Sequence, residues 1–147
     1  MKKQLIISAL SLSLLSSLAQ AQFAKPEDAI KYRQASLTVM ANHFSRIGAV
    51  VKGDKPFNKD EVMANAAVVA SLSHLPWAAF GPGTEGGKAQ PEIWKEADKF
   101  KAGSDKMEKA VAELNTVAKS GDLESIKKAF GATGQTCKAC HDNYRKK

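Results

Sequence analysis

Apolar residues recur along most of the chain at intervals of three and four, and no stretch alternates strictly in the manner of a half-buried strand. The first apolar run is of another kind. Leu5 to Leu15 is interrupted only by Ser and Ala, follows the basic pair Lys2-Lys3, breaks up at Ser16-Ser17 and precedes Ala19-Gln20-Ala21. A basic start, a short apolar segment and an A-x-A site make residues 1–21 a secretory signal peptide cut before Gln22. The run falls short of the roughly 20 apolar residues that a membrane span needs. The mature chain is therefore expected to have no membrane contact, with a short N-terminal anchor as the alternative.

From Pro26 onward the pattern is helical. Pro26 with Glu27 and Asp28 forms a helix start, because proline fits the first turn and acids suit its positive end. Ile30, Leu37, Met40, Phe44, Ile47 and Val51 fall on one stripe, predicting a first helix from Pro26 to Val51. Lys52 to Pro56 is a turn. Asn58 then fits an N-cap, with Glu61 closing a capping box and Phe57 placed to staple onto Val62. This second helix continues through Val69, Leu72 and Leu75 until Pro76 ends it.

The stretch from Pro76 to Gly87 holds four glycines and two prolines and is read as a long loop. Because it also contains Trp77 and Phe80, it is expected to pack onto something apolar. Pro91 and Glu92 restart a third helix through Trp94, Phe100, Met107, Val111, Leu114 and Val117 up to Ser120. Gly121 is the stop and Asp122 the next N-cap, and a fourth helix runs from Leu123 towards Arg145. Four helices with mostly short connections predict an all-α fold, an antiparallel four-helix bundle, with Met63, Met107, Val111 and Leu114 as plain core.

Composition adds limits. A chain of 147 residues, 44% hydrophobic and 25% charged, suits one globular domain, here residues 22–147, and is too short for two ordinary ones. The formal charge of +7 drops by two lysines when the signal is removed, leaving a mildly basic domain that favours acidic partners. No readable nucleic-acid motif accompanies the basic residues, and the longest basic run, Arg145-Lys146-Lys147, is short. A nucleic-acid partner is not expected.

The chemistry lies near the C-terminus, where Cys137-Lys138-Ala139-Cys140-His141 spells C-x-x-C-H and uses both cysteines of the chain. This is the attachment motif of c-type haem. Two cysteines three apart occupy neighbouring positions of one helical turn, so both sulfurs reach the vinyl groups along one porphyrin edge. His141 is then carried under the ring as the axial iron ligand, giving one covalently bound haem c per chain. A disulfide or thioredoxin-like pair would want a βαβ setting that this helical pattern lacks. Structural zinc would need four ligands. Beyond the motif only His43 and His74 remain, and His43 lies about 240° round the first helix from Leu37. Both are read as surface or rim residues. Export agrees with the haem reading and places the protein in the periplasm, since bacterial c-type haem is attached outside the cytoplasm.

A C-x-x-C-H on the last helix of a bundle resembles cytochrome c′, the class II cytochrome family of four-helix haem proteins. The resemblance covers essentially the whole mature chain, including Tyr32-Arg33-Gln34, Leu75-Pro76-Trp77, the Phe80 to Gly87 loop and Cys137 to Arg145. Low-spin relatives resemble R-Q-x-x-M on the first helix, the methionine being a sixth iron ligand. This chain reads Arg33-Gln34-Ala35-Ser36-Leu37. Leucine has no lone pair to donate, so the resemblance implies five-coordinate, high-spin iron under an apolar lid at Leu37. Met40, one turn on, is the alternative ligand.

The resemblance further implies haem-edge positions for Arg33 and Gln34, with the Arg33 cation near a propionate. Trp77 would pack against the loop and the haem. Arg145, four residues past His141, is expected to share its helix face over the proximal pocket, with a solvated helix end as the alternative. Gly131 and Gly134 each weaken the last helix by about 1 kcal/mol. They are expected to admit close approach of the ring or of a neighbouring helix, with fraying as the duller alternative.

Such a site takes nitric oxide well, carbon monoxide weakly because of crowding, and dioxygen poorly for want of a distal donor. By the same resemblance, nitric oxide ends on the proximal face in place of His141. The expected function is thus nitric oxide sequestration or protection. The alternative is single-electron transfer with a redox partner protein. With no distal His or carboxylate evident, no enzymatic turnover is expected. The resemblance also implies a homodimer formed through the outer faces of the first two helices.

Overall fold

The computed structural model describes residues 22–147; the expected signal peptide at 1–21 lies outside the described residues. The first helix, α1, spans Pro26–Val51, with proline in its first turn beside Glu27 and Asp28 as the sequence predicts. Helix α2 spans Lys59–Leu72, and its N-cap Asn58 accepts a 3.0 Å hydrogen bond from the backbone N–H of Glu61. Phe57 stays 39% exposed, so it does little as a staple.

Two predicted boundaries shift. Helix α2 stops at Leu72 rather than at Pro76. The proline ring disfavours helical backbone at Leu75, and the Ser73 hydroxyl donates back to Ala70 O at 2.8 Å within the last turn. A single 3₁₀ turn, Trp77–Phe80, follows. The predicted third helix is two helices, α3 (Glu92–Lys95) and α4 (Ala97–Ser120), separated at Glu96, whose φ −120° and ψ 43° are not helical. That break lets Ile93 be buried while the Trp94 indole N–H reaches Gly81 O at 3.0 Å. The last helix, α5, spans Leu123–Tyr144, and its N-cap Asp122 accepts from Ser125 N at 3.0 Å.

Helix α1 packs on α2 and α5, and α4 packs on the same two, closing an antiparallel four-helix ring with α3 as a short appendage. Gly121 joins α4 to α5 at φ 78°, a left-handed position, and a Cβ there would stand 2.8 Å from Lys59 Cδ. The core has two parts. One, around Ile47, Val62, Leu114 and Ile126, fills the end of the bundle where α1 finishes and α5 begins. The other holds Met40, Val69, Met107 and Val111. Met107, Val111 and Leu114 are core as expected, whereas Met63 is only half-buried. Buried polar groups cross-link helices: Thr133 Oγ1 donates to Ala110 O at 3.2 Å and to Ala129 O at 2.9 Å. Among the described residues the only extended pairing is an isolated antiparallel bridge, Ala89 with Arg145, and no helix is long and apolar enough to cross a membrane.

Candidate haem site

The second core cluster opens onto the thiols. Cys137 packs against the group formed by Met40, Val69, Met107 and Val111, and Leu37, Phe44 and Trp77 pack against the same group. The 3.6-residue repeat explains the convergence, since Leu37, Met40 and Phe44 line one face of α1 and Cys137 looks in from α5. Leu37 is half-buried there, while Met40 is 8% exposed and embedded in the core. One wall of the site is therefore apolar.

Cys137 and Cys140 are free, half-buried thiols rather than a disulfide. Burial pushes the Cys137 thiol up, and burial together with the neighbouring Cys137 pushes Cys140 up to about 11. Both are neutral thiols at pH 7. His141 follows on the last turn of α5. Burial and then the Arg145 charge pull its pKa down, partly opposed by Asp142, which favours the neutral imidazole that can donate a lone pair. The other two histidines are engaged elsewhere. His43 Nδ1 shares a 2.8 Å hydrogen bond with the buried Asn65 Oδ1, and the exposed His74 pairs with Glu108 at 2.7 Å. Among the described residues no cluster of three His, Cys, Asp or Glu stands ready to hold a metal ion.

Arg33 is engaged with the long loop. It is 3% exposed, and its guanidinium donates to Ala79 O at 2.7 Å, to Thr84 O at 2.8 Å and to Gly86 O at 3.0 Å. Its carbon centre lies 4.5 Å from the centroid of Phe80 and 5.6 Å from that of Trp94. Burial lowers its pKa, and the Glu85 charge offsets part of that. The long loop is thereby wrapped around one buried cation. The loop glycines meet the same helix: Gly87, at φ 59°, lies so close to α1 that a Cβ would stand 2.8 Å from Gln34 Nε2. Gln34 itself is exposed.

Arg145 is the C-cap of α5: its backbone N–H completes the last helical i→i−4 bond, to His141 O at 3.2 Å, so it stands one turn past His141, and its φ −112° and ψ 127° then turn the chain away from the helix. The bridge to Ala89 holds it there. His141 and Arg145 both flank an open depression of about 620 Å³ that also touches Lys88, Gln90, Lys146 and Lys147. No neighbouring helix presses on Gly131 or Gly134: a Cβ at the first would meet nothing, and at the second only Phe44 at 4.0 Å.

Sequence reasoning missed the bonding state of Trp77. Its Nε1 is buried with no hydrogen-bond partner, in contrast to Trp94. An orphaned buried donor implies an acceptor that the polypeptide does not supply. Together with two neutral thiols, a neutral imidazole and an apolar wall, this fits an apolar macrocycle bearing polar edge groups. Cys137 and Cys140 would hold such a haem covalently and His141 would supply the axial nitrogen.

A helical bundle with paired thiols and an imidazole on its last helix defines a c-type cytochrome of the bundle class. A model of the cytochrome c′ family matches residues 28–145, and the chain belongs to that family, whose members carry covalently bound haem c. It is 55% identical over 126 residues to a cytochrome c′ of Alcaligenes xylosoxydans xylosoxydans, covering 86% of this chain and 99% of the relative. It is 47% identical over 129 residues to one of Rubrivivax gelatinosus, covering 86% and 100%. Among solved structures, it matches a nitric oxide complex of a leucine-to-alanine variant of cytochrome c prime from Alcaligenes xylosoxidans. That match has a TM-score of 0.83 and 53% identity over 86% of this chain and 99% of the other.

Proposed function

We propose that the mature chain is a periplasmic haem protein with five-coordinate, high-spin iron that binds nitric oxide, and carbon monoxide weakly, so as to sequester the gas rather than turn it over. The observation that carries this reading is Leu37, half-buried in the same apolar group as Cys137, with Met40 committed to the core beside it. Bound there, haem supplies an iron centre open to a diatomic ligand. The chain's own residues then decide which ligand is favoured. Leu37 offers neither a lone pair nor a hydrogen bond, which disfavours dioxygen, and its bulk crowds carbon monoxide. Nitric oxide complexes of a related cytochrome c prime support the choice of gas.

His141 is the proposed axial ligand, Cys137 and Cys140 the thioether positions, and Arg145 the proximal cation beside them. Arg33 and Gln34 are proposed to serve the haem edge through the loop they support. Trp77 is suited to donate its free N–H to a haem carboxylate. Leu37, the side chain proposed to lie over the iron, can neither give nor take a proton, which favours binding over catalysis. From the likeness to cytochrome c′ a homodimer is proposed through the outer faces of α1 and α2, where Val39 is 45% exposed.

The test is the visible spectrum of the reduced protein before and after nitric oxide, then carbon monoxide, with Leu37→Met alongside. The expected result is a high-spin spectrum that shifts with nitric oxide, and a six-coordinate, low-spin spectrum for Leu37→Met. Low-spin bands indifferent to both gases would overturn the reading in favour of single-electron transfer with Met40 as the hidden ligand. An unchanged spin state in Leu37→Met would overturn the placement of Leu37.

A further inference from the structure

The basic C-terminal run is held down, not frayed. Lys146 N donates to Lys88 O at 2.8 Å, Gln90 N donates to Tyr144 O at 2.9 Å, and Ala89 pairs with Arg145 between them. This short two-stranded clasp holds the backbone of Lys88, Arg145 and Lys146 beside the depression that His141 lines and that Lys147 also touches.

The charge around it is of one sign. Along α3, α4 and the start of α5, Lys95, Lys99, Lys101 and Lys127 are each answered by an acid three or four residues away, while Lys106, Lys109, Lys119 and Lys128 stand singly among the described residues. What sets the depression apart is that Lys88, Arg145, Lys146 and Lys147 meet on it with a single acid, Asp142. Among the described residues none of the four clasp cations stands within ion-pair distance of a carboxylate. Asp142, the one acid lining the depression, is engaged by Lys138. All four clasp cations are exposed. Exposed, unpaired charges of one sign raise the rate of encounter more than they add affinity.

We infer that the Lys88–Lys147 clasp is the docking face for an acidic electron-carrier protein, whose carboxylates meet these four cations next to the haem-bearing turn. The inference rests on the haem reading, because a haem iron that passes from ferric to ferrous takes its electron from outside the chain. An open, solvent-facing rim fits a transient protein contact better than an enclosed small-anion site, which would want its donors converging on one point.

The experiment uses the haem-loaded protein and a flavodoxin, an acidic one-electron carrier, as the probe, with binding read from the anisotropy of a label on the flavodoxin. Lys88→Glu/Lys146→Glu is compared with Lys55→Glu/Lys119→Glu, which makes the same change of net charge at the far end of the bundle. Binding at low salt is expected to weaken about tenfold or more in the first pair and by less than about twofold in the second, with the difference gone at 0.5 M salt. Equal weakening in both pairs, or no binding by the unmodified protein at low salt, would overturn the docking face. Displacement by millimolar inorganic phosphate at constant ionic strength would overturn it in favour of a small-anion site. The nitric oxide spectrum of each variant separates the two readings: an intact spectral shift with lost docking leaves the gas site standing, and a lost shift in the unmodified protein strikes at the gas site alone.

Discussion

Arg33 carries more of the pocket than any other single side chain. It spends its fork on carbonyls of Ala79, Thr84 and Gly86 and stacks its plane near Phe80 and Trp94. Lysine keeps the charge but has neither the planar fork nor the stacking surface. Arg33→Lys is therefore expected to destabilise the protein by about 2–4 kcal/mol, as buried carbonyls lose charged donors. Urea unfolding checks this, and a loss below about 0.5 kcal/mol, the level of an ordinary surface change, would mean the loop holds without the fork. Reading Arg33-Gln34 in the sequence locates a functional neighbourhood but not this role. The partners lie 46 to 53 residues away and are backbone oxygens, which no side-chain pattern announces.

At the scale of elements, boundaries are set by caps, and caps respond to pH. Hydrogen bonds from Ser125 hold the Asp122 carboxylate below its ordinary pKa. A group whose pKa is lower in the folded state stabilises the fold above its unfolded pKa, and the contribution is lost as pH falls through the folded value. Thermal unfolding of the wild type is thus expected to show a Tm advantage over Asp122→Asn that is constant at neutral pH and disappears in strong acid. An advantage that grew as pH fell would contradict the cap's charge. This cap was legible in the sequence, as were Asn58, Pro26 and Gly121, because each is a local device. The split at Glu96 was not legible. It arises from tertiary demands on Ile93 and Trp94, which override a continuous helical repeat.

The whole molecule is a ring of four helices with one apolar end and one chemical end. The apolar end, around Ile47, Leu114 and Ile126, follows directly from the helical stripes. At the chemical end, C-x-x-C-H and Leu37 stand out in the sequence, whereas the unpartnered Trp77 N–H and the clasp of residues 88–90 with 144–146 depend on how distant segments meet. The proposed dimer belongs at this scale too. Val39→Lys is expected to shift the protein from dimer to monomer in sedimentation velocity while leaving the nitric oxide spectrum alone. A species unchanged in mass would remove the outer face of α1 from the interface.

The clasp also bears on how the molecule is handled. Because Lys146 is tied to Lys88, anything appended after Lys147 leaves the fold beside His141. A polyhistidine tail placed there would bring extra imidazoles to the very face where His141 is proposed to meet iron. A purification tag on this chain therefore belongs away from the Lys147 end.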